Sequence, residues 1–302
     1  MTALQLGLVH TPVMPFGRDH RIDFDLLAKL IDFHQRHGAD ALAVPMHAAE
    51  SVSLPEAEKH AVVEFAVKRA KVPVVAHVSE AGSALAAALA RHAEGAGAAA
   101  IVATTPYYWT PPAAMVLEHF ALIGGAVKIP FFVHNAPDDM AGSKVTADLM
   151  VKLIARLENF AGLVDQSLDW QFLIELMRLA KKQRPDFQLL TGTELMVSAA
   201  AIGATGLFAP LACIAPKLIG NLYDACRGGN LFEARAAQEH VAALRQAMKP
   251  GDAPTLKAAL RQMGRDCGDP RPPLLPLDAA AAKALADSLG RIAPIAAEPR
   301  GW

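Results

Sequence analysis

Short apolar runs recur along the chain, each followed by a few polar or turn residues and then by a longer segment of helical period. The runs fall at residues 6–11, 41–46, 72–77, 99–104, 130–134, 160–164, 187–190 and 205–209. They are nearly continuous in hydrophobicity, as parallel strands covered on both faces are, whereas half-exposed strands alternate. Between them, segments such as 24–37 place Leu26, Leu27, Leu30, Ile31 and Phe33 on one side, the stripe of an amphipathic helix. Gly38, Gly97 and Gly203 stand where a helix must stop before the next strand begins. Strand–helix units in this number predict a closed parallel barrel or a long doubly wound sheet.

The doubly wound alternative loses its usual ligand signal. No Gly-x-Gly-x-x-Gly follows the first strand and no Gly-x-x-x-x-Gly-Lys loop is present. The pattern therefore predicts an α/β fold, a (β/α)8 TIM barrel over residues 1–228. Beyond it the strands stop. Residues 231–248, 255–265 and 278–292 read as helices around a Pro-rich stretch at 269–276, so 229–302 is expected to be a C-terminal helical segment packed on the barrel.

Composition narrows the partners. With 53% hydrophobic residues among 302, the chain holds enough apolar side chains for one large core. The net charge of −1 and the lack of a basic cluster argue against nucleic acid and membrane surfaces, leaving a small-molecule ligand. No apolar run approaches the ~20 residues of a bilayer span, and the alanine-rich stretch 84–100 is broken by Arg91, His92 and Glu94. The three cysteines, Cys213, Cys226 and Cys267, are odd in number and far apart, which fits a reduced compartment better than a disulfide framework. The first residues lack a basic region followed by an apolar one, so the expected location is cytoplasmic.

Motifs at the strand ends add a resemblance. Met14-Pro15-Phe16 follows the first strand; Glu50, Leu54 and Glu58 follow the second. Thr105-Pro106-Tyr107-Tyr108 follows the fourth, His134-Asn135-Ala136-Pro137 closes the fifth and Gly162-Leu163-Val164-Asp165 lies in the sixth. In this order the motifs resemble those of the dihydrodipicolinate synthase / N-acetylneuraminate lyase family, from roughly Gly7 to Arg291.

The resemblance implies an active site at the C-terminal ends of the strands, as barrels generally have. It also implies a Schiff base between a strand-six lysine and a 2-oxo acid, the lysine being the nucleophile. At that position this chain has Val164, which offers no nucleophile and no proton. The family's strand-five tyrosine corresponds to His134. Its carboxylate-holding threonines of the strand-two turn correspond to His47 and Ala48, and the synthase branch's arginine to Asp139. Tyr108 is kept. The resemblance further implies a homo-oligomer, a dimer or a tetramer of tight dimers, with Tyr107, Tyr108 and Trp109 near a subunit contact.

These exchanges define the candidate site. His134, His47 and Tyr108 are the catalytic candidates, because imidazole exchanges protons near neutrality. His77, Asn135, Val164, Asp165 and Glu194 are the candidates for substrate contact, although Glu194 also suits the first turn of a helix. His47, His77 and His134 would be the ligands of any metal, but no His-x-His or His-Glu-x-x-His motif supports one, and no cofactor is expected. Most lysines are expected to face solvent on helices; Lys144 and Lys217 could reach the top face and stand in for the missing amine. The function expected is that of a lyase-like enzyme acting on a small oxo or hydroxy acid without a Schiff base. The alternative is a barrel of the same family that binds a ligand or a partner without catalysis.

Overall fold

The computed structural model describes residues 4–138, 143–249 and 252–302. Eight short strands, β1 (Leu8–His10), β2 (Ala41–Val44), β3 (Val74–His77), β4 (Ala100–Thr104), β5 (Phe131–Asn135), β6 (Phe160–Asp165), β7 (Gln188–Thr191) and β8 (Gly206–Ala209), pair in parallel in sequence order and close into a barrel. β1 pairs with β8, through Leu8 to Leu207 and His10 to Ala209. The chain therefore has the (β/α)8 fold that its hydrophobic pattern predicts.

The near-continuous apolar runs arise because each strand is buried on both faces. Val9, Ala43, Val75, Val102, Phe132, Val164, Leu190 and Phe208 fill the barrel interior. The alternate residues, such as Ile101, Val133, Leu163 and Leu189, pack outward against the helices. The interior is tight at Gly162, where an added Cβ would come within 2.3 Å of the Gln188 carbonyl oxygen and 2.9 Å of the Phe132 ring.

The helices α1 (Phe24–Arg36), α2 (Glu56–Arg69), α3 (Ser83–Ala96), α4 (Ala113–Gly124), α5 (Ala147–Arg156), α6 (Trp170–Gln183), α7 (Met196–Ala201) and α8 (Pro216–Arg227) each follow a strand. Asp23, Thr146 and Asp169 cap α1, α5 and α6 by accepting an N–H of the first turn. After α3, Gly97 takes φ +94°, the left-handed stop that glycine accepts without steric cost.

Past β8 come α9 (Leu231–Met248), α10 (Asp252–Gln262) and α11 (Ala279–Gly290). They share a core with the barrel: Val241, Leu244, Leu256, Ala259, Leu285 and Leu289 belong to one cluster with Leu8, Leu207, Ile214 and Leu218. A buried ion pair fastens α10 to the loop after β2. Lys257 Nζ lies 2.7 Å from Glu50 Oε1, with the side chains 2% and 1% exposed, and 4.3 Å from the centre of the Phe16 ring. Arg271 adds a second tie from the Pro-rich stretch, reaching Glu58 and the Ser53 carbonyl. No helix among the described residues is long and apolar enough to cross a membrane.

Candidate active site

All eight strands end at one rim, where a cavity of about 330 Å³ opens. His134, on β5, shares the inward face with Phe132 two residues earlier, since strand side chains alternate. His47 opens the short 3-10 turn His47–Ala49 after β2, and both imidazoles line the cavity. Gln166 after β6, Thr193 after β7 and Arg245 on α9 join its polar lining, together with Thr11, Asp138 and the exposed Lys249 just past α9. A narrower cleft of about 20 Å³ continues from the same two histidines toward His77, Ser79, Lys59 and Tyr107.

His134 is 4% exposed, and neither ring nitrogen forms a hydrogen bond among the described residues. Burial, then repulsion from His47, lowers its pKa to about 4, against a smaller opposing influence of the Gln166 side chain beside it. It is therefore neutral at physiological pH, with the Gln166 side chain close enough to favour its proton but no hydrogen bond formed among the described residues. That is costly for a buried polar group unless a ligand completes it.

His77 is built differently. The Thr104 N–H donates to Ser79 Oγ at 2.9 Å, and Ser79 Oγ lies 2.7 Å from His77 Nε2. The Pro45 carbonyl beside the ring favours a proton on the other nitrogen, which makes Nε2 the acceptor of the Ser79 hydroxyl. Both nitrogens are committed, and burial holds the pKa down at about 3. His77 shapes the cleft, and its ring has no nitrogen left for a metal. Among the described residues no group of three His, Cys, Asp or Glu side chains could hold a metal ion.

Four more candidates stand behind the rim. Asn135 Nδ2 donates to Asp165 Oδ1 at 2.6 Å, Ser167 Oγ donates to the same carboxylate, and Asn135 Oδ1 accepts from the Val145 N–H. This network joins β5 to β6 and the loop after β5; burial pushes the Asp165 pKa up, against these hydrogen bonds. Val164 is fully buried in the barrel interior beside Leu190 and Phe208, paired in register with His134. Glu194 is also fully buried. Its carboxylate meets Arg245 Nη1 at 2.7 Å and accepts the Leu211 N–H at 2.8 Å, so it holds the arginine and the loop after β8, and is not itself part of the cavity lining.

The aromatic run after β4 separates. Tyr107 turns inward and donates to Glu80 Oε2 at 3.1 Å, with its pKa pushed up to about 12 by burial and then by that carboxylate. Tyr108 takes φ +83° and is 94% exposed, so it does not reach the cavity. Asp139 lies outside the described residues.

The lysines require a correction. Lys144 and Lys217 are exposed, and the Lys217 ammonium caps the Ala297 carbonyl at 3.1 Å; neither lines the cavity. Two lysines expected on solvent faces are instead buried: Lys257 in the pair with Glu50, and Lys59 in the cleft wall, ion-paired to Glu80. Alternation and helical period place Cβ atoms, but they do not show that a carboxylate from another unit waits opposite. Gln166, Thr193 and Arg245 escaped the sequence reading for a related reason. The first two are one or two residues past a strand end, a detectable signal, whereas Arg245 sits in the last turn of a helix, an ordinary place for a cation, in a segment whose docking on the barrel no local pattern reveals.

Comparison with known proteins agrees with this architecture. Residues 5–292 match the dihydrodipicolinate synthetase family. A 4-hydroxy-tetrahydrodipicolinate synthase of Methanococcoides burtonii is 30% identical over 285 residues, covering 94% of this chain and 97% of that protein. The dihydrodipicolinate synthase structure from Aquifex aeolicus superposes with a TM-score of 0.89 at 26% identity, covering 95% of this chain and 98% of the other. A prophage protein of the dihydrodipicolinic acid synthase family from E. coli K12, solved in complex with pyruvate, gives 0.90 at 25% identity, covering 96% and 99%.

Proposed function

Because the chain belongs to the dihydrodipicolinate synthetase family, we propose that it is a lyase-like enzyme acting on a small oxo or hydroxy acid without a lysine Schiff base. The observation that carries this reading is His134: a buried imidazole at the floor of the cavity, with both nitrogens unpartnered among the described residues. The family resemblance puts a lysine where this chain has Val164, and Val164 lies in an apolar setting that would not favour an ammonium.

In the neutral form His134 can accept a proton from the carbon or hydroxyl next to the bond that breaks and return one to the departing group. An anionic substrate beside it would favour the imidazolium and move its pKa from about 4 toward the working pH, where proton exchange is most efficient. His47 lines the same cavity and is the second candidate for the exchange. In the homo-oligomer that the resemblance implies, Tyr108 would be presented to a second copy rather than to its own site.

The test is turnover of oxo and hydroxy acids by the wild type and by His134→Ala. Loss of turnover with little change in melting temperature is expected, since the ring makes no hydrogen bond whose removal would strand a partner. Full activity in that variant defeats the assignment. A second reading, a barrel that binds an acid without converting it, is favoured by the apolar burial of Val164. Acids that raise the melting temperature of the wild type but are never consumed would establish it.

A further inference from the structure

One wall of the cavity comes from outside the eight strand–helix units. Arg245 on α9 faces the opening with its side chain 34% exposed. Glu194 holds it from behind by a single guanidinium nitrogen, Nη1, at 2.7 Å. Glu194 is itself fixed, through the Leu211 N–H on its other carboxylate oxygen and through Gln238 Nε2 on its backbone carbonyl at 2.8 Å. A guanidinium carries five N–H donors in a rigid fork. Among the described residues no other hydrogen bond from Arg245 is formed, so the rest of the fork is available on the cavity side. An arginine oriented by a buried carboxylate, with a donor edge still open, is a receptor for a planar oxyanion.

The surroundings select the kind of oxyanion. Barrels commonly bind phosphate with the loops after strands seven and eight. Here those loops are committed internally: Leu211 N–H goes to Glu194, and Thr193 N–H goes to Thr191 Oγ1 at 3.2 Å. A phosphate dianion would have there the side chains of Arg245 and Lys249 without those backbone donors, and would meet the carboxylates of Glu194 behind and Asp138 in the same lining, whereas a singly charged carboxylate needs only the fork.

We infer that Arg245 receives the carboxylate of the substrate, so that the acid lies with its charged end against α9 and its reacting carbon toward His134. The inference rests on the acid-substrate reading above and adds the orientation. It sets the carboxylate on the side of the cavity formed by β7, β8 and α9, away from the turn after β2, where His47 and Ala48 stand in place of the threonines that the family resemblance implies.

The test reads binding rather than turnover. Calorimetry with pyruvate and lactate, their neutral amides and inorganic phosphate is run on the wild type, Arg245→Lys, Arg245→Gln, the Glu194→Gln/Arg245→Gln pair and His134→Ala. The wild type should bind the acids and neither the amides nor phosphate. Arg245→Gln should weaken acid binding by about 10- to 100-fold, the loss of a charged, forked contact. The paired variant, which leaves no buried charge unmatched, should lose binding equally while staying folded, and Arg245→Lys should lose an intermediate amount. His134→Ala should lose clearly less acid binding than Arg245→Gln, since this variant keeps the anchor and forfeits only the contact with the ring. Acid binding undiminished in both Gln variants overturns the inference. So does binding of the amides as tight as that of the acids, displacement of pyruvate by phosphate, or no acid binding to the wild type at about 10 mM. Turnover retained in His134→Ala with binding lost in Arg245→Gln would defeat the proton-exchange role and leave the anchor standing.

Discussion

Replacing Lys257 with methionine should be among the most destabilising single changes outside the cavity, and removing its partner as well should largely repair it. The ammonium is 2.7 Å from Glu50 Oε1 with both side chains almost fully buried, and it donates to the Asp269 carbonyl at 3.1 Å. Methionine fills the space but leaves the Glu50 charge buried, with the Arg271 N–H on Oε2 at 2.8 Å as its remaining hydrogen bond. Breaking one side of a buried pair costs about 3–5 kcal/mol, roughly 5–15 °C in melting temperature for a chain of this size. Glu50→Gln alone should cost less. Burial already lowers the Lys257 pKa, loss of the carboxylate lowers it further and so eases the burial of the amine, and glutamine keeps the acceptor for Arg271. The double variant has no charge to strand and should come within ~2 kcal/mol of the wild type, because a buried pair is close to neutral against an uncharged replacement. Urea and thermal unfolding of the four proteins gives the coupling directly. Single-variant losses that simply add, within about 0.5 kcal/mol, would refute the claim that the two charges are buried against each other.

Acid should destabilise the protein well above the carboxylate range. Burial pulls His134 and His119 down to about 4 and His10 and His77 to about 3, against 6.5 unfolded. Between 6.5 and those values the unfolded chain binds more protons than the folded one, so stability falls as pH falls, by up to ~1.4 kcal/mol per pH unit for each ring. Asp165, Glu194 and Glu298, whose pKa values burial raises, act in the opposite sense at the low end of that window. The urea midpoint should therefore drop between about pH 6.5 and 5; a midpoint that holds or rises would mean these rings are not buried neutral. Separately, borohydride reduction in the presence of pyruvate should leave the mass of the wild type unchanged, because Lys59 and Lys257 are tied to carboxylates, Lys144 and Lys217 lie outside the cavity, and Lys249, which lines it, is exposed and lacks the dry setting that makes an amine a nucleophile. A reduced adduct on any of them would restore Schiff-base chemistry to this barrel.

The strands were legible because burial on both faces leaves a mark that needs no partner to interpret. The run at 160–164 became Phe160–Asp165, and that at 205–209 became Gly206–Ala209. Helix α9 was legible to its ends, Leu231 and Met248, and the structure adds Asn230 as its cap. His134 was visible as a candidate because it falls at the end of such a strand. What its neighbours do was not visible. His77 and His134 occupy equivalent sequence positions, yet Ser79 saturates one ring while the other is left bare. Tyr107 and Tyr108 are adjacent, and a left-handed backbone at the second sends them in opposite directions. Glu194 reads as a helix-opening acid until α9, some fifty residues later, delivers Arg245 to it. Each of these outcomes depends on contacts between distant segments, which local spacing does not encode.

That last contact has a consequence for how the site comes into being. A ribosome that has released all eight strands has yet to deliver Arg245 and the Lys257 fastening, which arrive only with α9 and α10. On the inferred role of Arg245, the mouth is complete only once these late helices have docked on the core they share with β1 and β8. Changes to the helices beyond β8 can retune what the mouth accepts while the strands that carry the imidazole are left as they are.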